Sequence, residues 1–258
     1  ITNSTLSGNT SNGYAGGIFN SDCGTVTVSN STLNNNNGHY GGGIANHHQG
    51  SLTIANSTLS GNTATAWGGG IANYGTLSVT NCTLSGNSAV VDGGGINNNS
   101  GASLNIANTI IANSTSGGDF AGDGTVNVTS RLPAPDNLVS QGTFSWVTTI
   151  PSEDINLGPL QNNGGSTSTH ALLAGSVAIG AGNAGISNAS LVNGLDQRSY
   201  TRSSTRPSIG AFEFLPPAVT SVSPSAGYAV GGTTITITGT AFTGATAVTI
   251  GGISATNV

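Results

Sequence analysis

Charge is scarce in this chain of 258 residues, and lysine and methionine are absent altogether. Charged residues make up 5% of the sequence, the four basic residues are all arginines, and the formal net charge is −5. An ordinary soluble domain carries about 25% charged residues. Binding to nucleic acid requires a basic surface that neutralises phosphates, and attachment to anionic lipids requires a polybasic segment. We therefore expect neither kind of partner.

Long apolar runs are also missing, so we expect no transmembrane segment within the sequence given. The sequence opens in the middle of a repeat at Ile1 and shows no signal-peptide pattern, which predicts a piece of a longer chain. Its two cysteines, Cys23 and Cys82, fall in different columns of that repeat, about two coils apart. Because bridged Cα atoms lie within about 7 Å, we expect no disulfide between them.

Two short motifs recur with a common period. The first reads NSTLSGNT at residues 3–10 and returns near residues 30, 56 and 81 with an anchor leucine each time. The second reads GGGIAN at residues 41–46 and 68–73, with variants in the coils before and after. The anchor residues of the two motifs are Leu6, Leu33, Leu59 and Leu84 for the first, and Ile18, Ile44, Ile71 and Ile96 for the second. Two independent columns sharing a period of 25 to 27 residues indicate a solenoid.

A third element in each unit alternates apolar and polar residues, as in TVTVS at residues 25–29, which is typical of a strand. Each unit then holds three short strands separated by glycine and asparagine, which tolerate tight corners. One unit of about 26 residues buries too little apolar surface to offset its own ordering entropy, but stacked units share a core. The prediction is an all-β fold, a parallel β-helix, with right-handed coils according to the general crossover preference.

These paired motifs resemble the repeats of polymorphic outer-membrane proteins and related bacterial β-helix surface proteins, over about residues 1–130. That family usually carries phenylalanine where this chain has its anchor leucines. The resemblance implies a secreted or surface-displayed β-helix. We assign residues 1–150 to the β-helix repeats.

The pattern changes after residue 150. The stretch at residues 155–183, with DQR at 196–198 and IGAFEF at 209–214, resembles the choice-of-anchor Q region of secreted bacterial proteins. It departs from that region at Gly180, where aspartate is usual. We expect residues 151–215 to form the last coils and a C-terminal cap, because an open solenoid end exposes unpaired strand edges.

Residues 216–258 follow a Pro-Pro break and resemble the opening strands of an IPT/TIG immunoglobulin-like domain. The matching parts include GGTTITITG at residues 231–239 and GATAVTIGG at residues 244–252. Ile235 and Ile237 are expected to share one face of a strand. We expect a partial β-sandwich here, with the rest of the domain beyond Val258.

An aromatic column is the first candidate binding site. Tyr14, Tyr40 and Trp67 each stand four residues before the isoleucine of the second motif, and Asp92 holds that position in the next coil. If the register holds, the rings lie about 4.8 Å apart on neighbouring coils. Such a ladder suits stacking on sugar rings, so an extracellular glycan or a neighbouring cell surface is the expected partner. The alternative is a stack of aromatic rings that only packs the turns.

A threonine column is the second candidate. Thr5, Thr32, Thr58 and Thr83 precede the anchor leucines and are expected to face outward. A flat threonine lattice could order water and bind ice. The alternative is the ordinary preference of threonine for a solvated strand face.

Catalytic and metal-binding patterns are weak. Polysaccharide-degrading β-helix enzymes need convergent carboxylates, and Asp92, Asp119 and Asp123 do not recur one coil apart. We interpret Asp119 and Asp123 as turn residues, with a weak cation site as the alternative, and expect a structural ion pair of Arg198 in the cap. The histidines, including the pair His47-His48, lack the spacing of a metal site. GAGNAG at residues 180–185 is not followed by a helix pattern, so we expect no dinucleotide or other cofactor.

The function predicted is a non-enzymatic, adhesin-like or structural β-helix, secreted or at the cell surface, with glycan binding as its candidate activity. The first alternative is a β-helix lyase or glycoside hydrolase acting on polysaccharides. The second alternative is an ice-binding protein. The expected location is extracellular or on the outer cell surface.

Overall fold

The computed structural model describes residues 1–128, 136–142, 147, 149–228, 231–242 and 247–255. The chain divides into two compact units, Ile1–Phe214 and Leu215–Val258. Helix accounts for only 3% of the structure, and the first unit contains a parallel β-solenoid of about five turns. The all-β prediction is confirmed. No helix in these ranges is long and apolar enough to cross a membrane.

The solenoid is built from short strands that follow one another around each coil. Its strands are β1 Thr5–Ser7, β2 Ile18–Asn20, β3 Thr25–Ser29, β4 Thr32–Asn34, β5 Asn37–Gly38, β6 Ile44–Asn46, β7 Ser51–Ala55, β8 Thr58–Ser60, β9 Thr63–Ala64, β10 Ile71–Asn73, β11 Thr76–Thr80, β12 Thr83–Ser85, β13 Ser88–Ala89, β14 Ile96–Asn98, β15 Ser103–Ala107, β16 Ile110–Ala112, β17 Phe120–Ala121, β18 Thr125–Val128 and β19 Leu138–Val139.

These strands stack into three main parallel sheets. The first sheet has the order β1-β4-β8-β12-β16-β19, the second β17-β14-β10-β6-β2, and the third β18-β15-β11-β7-β3. In the first sheet Leu33 pairs with Leu59 and Leu59 with Leu84, and all three side chains are fully buried. The predicted leucine stack is therefore confirmed, and with it the register on which every other column depends.

Two ladders of asparagine side chains run inside the coils at their corners. In one, Asn46 Nδ2 donates to Asn73 Oδ1 at 2.8 Å, and Asn73 Nδ2 donates to Asn98 Oδ1 at 2.8 Å. In the other, Asn36 Nδ2 donates to Asn62 Oδ1, and Asn62 Nδ2 to Asn87 Oδ1, both at 3.0 Å. A buried amide without a hydrogen-bond partner costs free energy, so each ladder favours a single register between one coil and the next.

The glycine triplets of the second motif have a steric cause. A Cβ on Gly69 would lie 2.3 Å from the carbonyl oxygen of Ser88 and 2.5 Å from that of Gly94. Gly68, before it, has φ +70°, a conformation that favours glycine. The triplets therefore serve both a tight turn and the close approach of neighbouring coils.

The chain from Ser152 to Phe214 does not add further coils. It contains α1 Ser152–Ile155, β20 Leu157–Gln161, β21 Thr169–Leu172 and α2 Ala184–Ser187, and β20 pairs with β21 antiparallel. We call residues 151–214 the side segment, because it lies along the outer face of the first sheet and contacts strands β4, β8, β12 and β16. The expectation of a stacked end cap is thus replaced by a cover over one face of the solenoid.

The second unit contains two antiparallel strand pairs. Its strands are β22 Ala218–Ser223, β23 Thr236–Thr240, β24 Thr249–Ile250 and β25 Ile253–Ser254, with β22 pairing β23 and β24 pairing β25. Ile235 and Ile237 are both half-buried while their neighbours are exposed, so the predicted alternation is confirmed. Residues 244–246 of the predicted motif lie outside the described residues.

Candidate functional site

The aromatic column forms as the register predicts. The Tyr40 N–H donates to the Tyr14 carbonyl oxygen at 2.8 Å, which places the two residues on adjacent coils. The rings of Tyr14 and Tyr40 have centroids 5.7 Å apart, and those of Tyr40 and Trp67 lie 5.4 Å apart with planes inclined by 5°. The three residues therefore form one stack along the solenoid.

Stacking occupies most of the ring faces. Phe19 covers Tyr14 at 4.6 Å, and Tyr40 lies between Tyr14 and Trp67. No aromatic ring follows Trp67 along the column, because Asp92 pairs with it in the next coil, and Trp67 is half-buried. A sugar can therefore meet the edges of the inner rings but a full face only at Trp67.

A second column faces the aromatic one. His47, Tyr74 and Asn99 follow the buried asparagines of the first ladder on successive coils, and each donates its N–H to the asparagine carbonyl of the coil before it. The Tyr74 ring stands nearly perpendicular to Tyr40, with centroids 6.3 Å apart, and 5.2 Å from His47. The two columns thereby face each other across the outside of the second sheet.

Between the columns lies a groove of about 330 Å³ lined by Tyr14, Tyr40, His47, Trp67, Tyr74 and Asn99. We call it the aromatic groove. Sequence reasoning found three of its six residues and considered His47 only as a metal ligand. The missed signal was positional: the residue after the last asparagine of each second motif recurs with the same period. That asparagine is held in the buried ladder, so its successor is fixed at the corner and turned outward.

The groove is lined mainly by apolar ring surface, with a few polar groups among the rings. Burial is the main cause that lowers the pKa of His47, with His48 adding to it and Asp22 opposing it. Burial is also the main cause that raises the pKa of Tyr74, against a hydrogen bond with Asn99. Both side chains are therefore neutral near pH 7. They offer hydroxyl, imidazole and amide groups beside aromatic surface, the usual composition of a small-molecule site.

The threonine column is not the exposed lattice that the sequence predicted. Thr5 is exposed, but Thr32, Thr58 and Thr83 are buried beneath the side segment. The Thr58 hydroxyl donates to Gln197 Oε1 at 2.7 Å, and the Thr83 hydroxyl accepts the Ala211 N–H. The expectation of a flat ice-binding face is wrong, because these hydroxyls anchor the side segment.

The acidic residues of the solenoid do not converge. Asp119 is fully buried, and its carboxylate accepts hydrogen bonds from the Ser114 N–H and from the N–H and hydroxyl of Ser140, which confirms its role in a turn. Asp22 and Asp92 stand three coils apart, about 14 Å at 4.8 Å per coil. Over the ranges that the structure describes, no three histidine, cysteine or acidic side chains gather as a metal site.

A serine–histidine pair links the side segment to the first sheet. The Ser60 hydroxyl lies 2.9 Å from His170 Nε2, and His170 Nδ1 lies 2.7 Å from the Gly158 carbonyl oxygen. Both side chains are buried, and burial lowers the pKa of His170. The distance resembles a nucleophile and its base, but the third group is a backbone carbonyl and the pair is closed to solvent. Its role is to fasten β21 to β8.

Buried ion pairs hold the end of the side segment. Arg198 Nη2 lies 2.7 Å from Asp196 Oδ2, which confirms the predicted structural pair. Arg202 donates to the carbonyl oxygens of Leu195, Ser208 and Gly210 and to Asn56 Oδ1, and lies 3.5 Å from Glu213.

The two cysteines are free. Cys23 is exposed and Cys82 is buried, and burial raises the pKa of the Cys82 thiol to about 12. The buried thiol is therefore protonated and unreactive, since the thiolate is the nucleophile.

Comparison with known proteins identifies the C-terminal unit. Residues 217–258 match the family model of the IPT/TIG domain. A search of curated proteins and a search of solved structures each gave no match, so the resemblances to polymorphic outer-membrane proteins and to the choice-of-anchor Q region stay predictions. The chain thus joins a parallel β-solenoid to a C-terminal IPT/TIG immunoglobulin-like domain.

Proposed function

We propose that this protein is a non-enzymatic, adhesin-like component of an extracellular surface, and that its aromatic groove binds glycans. The observation that carries the proposal is the groove itself, in which Trp67 and Tyr74 offer apolar surface while His47 and Asn99 offer hydrogen-bonding groups. Sugars present both kinds of surface, with C–H groups on the ring faces and hydroxyls at the edges. A site combining the two is complementary to them.

The architecture supports a surface role. A β-solenoid joined to an IPT/TIG domain is compatible with a surface or structural protein, and TIG domains occur in extracellular or surface proteins. The low charge and the many short strands of the solenoid are consistent with a protein that presents side chains from a regular scaffold. The glycan, rather than the scaffold, would then determine what the surface adheres to.

The non-enzymatic part of the proposal rests on the carboxylates. Glycoside hydrolysis usually employs two carboxyl groups about 5 to 10 Å apart on either side of the bond. Asp92 adjoins one end of the groove, whereas Asp22 stands near the other end, beyond that separation. We expect no release of reducing ends from pectin, alginate or neutral glycans, and sustained release would favour the alternative of a β-helix hydrolase or lyase.

The binding test compares the full chain with single variants on an immobilised glycan array. Trp67→Ala and Tyr74→Ala are expected to weaken retention about tenfold, since covering a large apolar side chain contributes on the order of 1.5–3 kcal/mol. Tyr228→Ala is the matched control, because Tyr228 is 82% exposed and lies in the C-terminal unit. Equal retention by all four proteins would remove the groove as the binding site.

A further inference from the structure

The two ends of the aromatic groove carry different side chains. Along its first column the side chains read Tyr14, Tyr40, Trp67, Asp92 and then Gly117, since the Gly93 N–H donates to the Gly117 carbonyl as the Gly68 N–H donates to that of Asp92. Large rings thus give way to a carboxylate and then to no side chain. The outer face of Trp67 is therefore followed along the column by a small acidic side chain, and the coil after that has no side chain at this position.

Asp92 places a carboxylate at the Trp67 end of the aromatic groove. Asp92 is exposed, and its Oδ1 accepts the N–H of Gly93 at 3.1 Å, which fixes the carboxylate against the turn. The coil spacing places Asp92 about 4.8 Å along the column from Trp67. A ligand ring lying on the open face of Trp67 is consequently within reach of this carboxylate at its edge.

Among the residues that the structure describes, no arginine lies on the sheet that carries Asp92. Arg198, Arg202 and Arg206 belong to the side segment, which lies on the first sheet rather than the second, and Arg131 lies outside the described residues. Trp67 itself attracts cations through its ring face. The open end of the groove thus combines an aromatic face with a carboxylate, and both attract positive charge.

From this arrangement we propose that the glycan recognised by the groove is an amino sugar, bound with its pyranose ring on Trp67 and its protonated amine at Asp92. This inference rests on the proposed glycan-binding function and specifies its ligand. Uronic-acid polymers would bring their carboxylates against Asp92, and neutral sugars would leave that carboxylate without a complement. Electrostatic complementarity therefore selects the amine-bearing class.

The test uses two oligosaccharides that differ only in the amine. Binding of the glucosamine tetramer and the N-acetylglucosamine tetramer to the full chain is measured by calorimetry at about pH 6, which favours a protonated amine on the sugar. We expect the glucosamine tetramer to bind about five- to tenfold tighter, as an exposed charge pair beside an aromatic face supports. Raising the salt from about 0.05 M to 0.5 M should reduce this preference, because exposed charges are screened.

Two variants test the amino-sugar assignment and the glycan-binding function separately. Asp92→Asn should make the two tetramers bind equally, whereas Trp67→Ala should weaken both. Glu153→Gln is the matched control for the loss of one negative charge, because Glu153 is exposed and lies on the side segment; it should leave the preference intact. Circular dichroism of each variant should match that of the parent chain.

The outcomes that would overturn the inference are distinct from those that would overturn the function. Equal affinity of the parent chain for both tetramers, with Trp67→Ala weakening both, overturns the amino-sugar assignment and leaves a glycan site. Choline binding as tightly as the glucosamine tetramer shows recognition of the ammonium group alone and also overturns the assignment. Binding of neither tetramer, together with no retention on the glycan array, overturns the glycan-binding function.

Discussion

At the scale of single residues, buried asparagine amides define the coils. Asn73 Nδ2 donates to Asn98 Oδ1 and to two carbonyl oxygens, and its own Oδ1 accepts from Asn46. Each amide thus satisfies groups on three coils. The hydrophobic columns determine which side chains point inward, while the ladder prevents one coil from slipping past another.

Replacing Asn73 by alanine is expected to lower the free energy of unfolding by about 3 kcal/mol, because it leaves Asn98 Oδ1 without its buried donor and removes the hydrogen bonds that Asn73 makes to Asn46 and to two carbonyl oxygens. Urea denaturation followed by circular dichroism measures the change. Asn37→Ala is the control, since Asn37 lies in β5 and is exposed; its loss should stay below about 0.5 kcal/mol. Similar losses for the two variants would contradict the ladder's role.

The sequence predicted inward-facing residues well and contacts between columns poorly. Leu33 and Leu59 could be assigned to one stack because a single period places them there. Tyr74 could not be assigned to the groove, because its position depends on how the corner after Asn73 turns. Thr58 was assigned to the surface because the residue that covers it, Gln197, is 139 positions away along the chain.

At the scale of elements, the side segment turns an exposed sheet face into an interface. Its contacts are specific: Gln197 bonds to Thr32 and Thr58 of the first sheet, and His170 bonds to Ser60. The sequence located this segment by its change of pattern. It did not reveal where the segment docks, because docking is determined by individual polar pairs rather than by a periodic signal.

The stability of this interface is expected to depend on pH through His170. Burial lowers the pKa of His170 in the folded chain from 6.5, so protons bind more readily to the unfolded chain. The free energy of unfolding should therefore fall as the pH drops from about 6.5 through the folded-state pKa. Urea denaturation between about pH 7.5 and pH 5 measures this dependence.

His170→Gln should be less stable than the parent chain at pH 7.5 but should lose less further stability on acidification. His39→Gln is the control, because His39 is not fully buried and lies on the solenoid rather than on the side segment; its stability should depend on pH as that of the parent chain does. Parallel curves for the parent chain and His170→Gln would show that the titrating group lies elsewhere.

At the scale of the whole molecule, the side segment and the groove proposed to bind glycans lie on different faces of the solenoid. The first sheet is covered by the side segment, the interior is filled by leucine, isoleucine and valine, and the second sheet carries the aromatic groove on its outside. The groove exists only because six side chains from four coils are held in register. Its chemistry is thus a property of the stacked coils and of no single repeat.

The most direct test of that account is the fluorescence of Trp67. The chain has two tryptophans, Trp67 and Trp146, so Trp146→Phe leaves Trp67 as the one tryptophan whose emission is followed. Titration with oligosaccharides should produce a saturable change in its emission, larger for glucosamine than for N-acetylglucosamine tetramers at equal concentration. Emission that stays constant with every oligosaccharide, while a small solute such as acrylamide still quenches it, would contradict sugar binding on this ring.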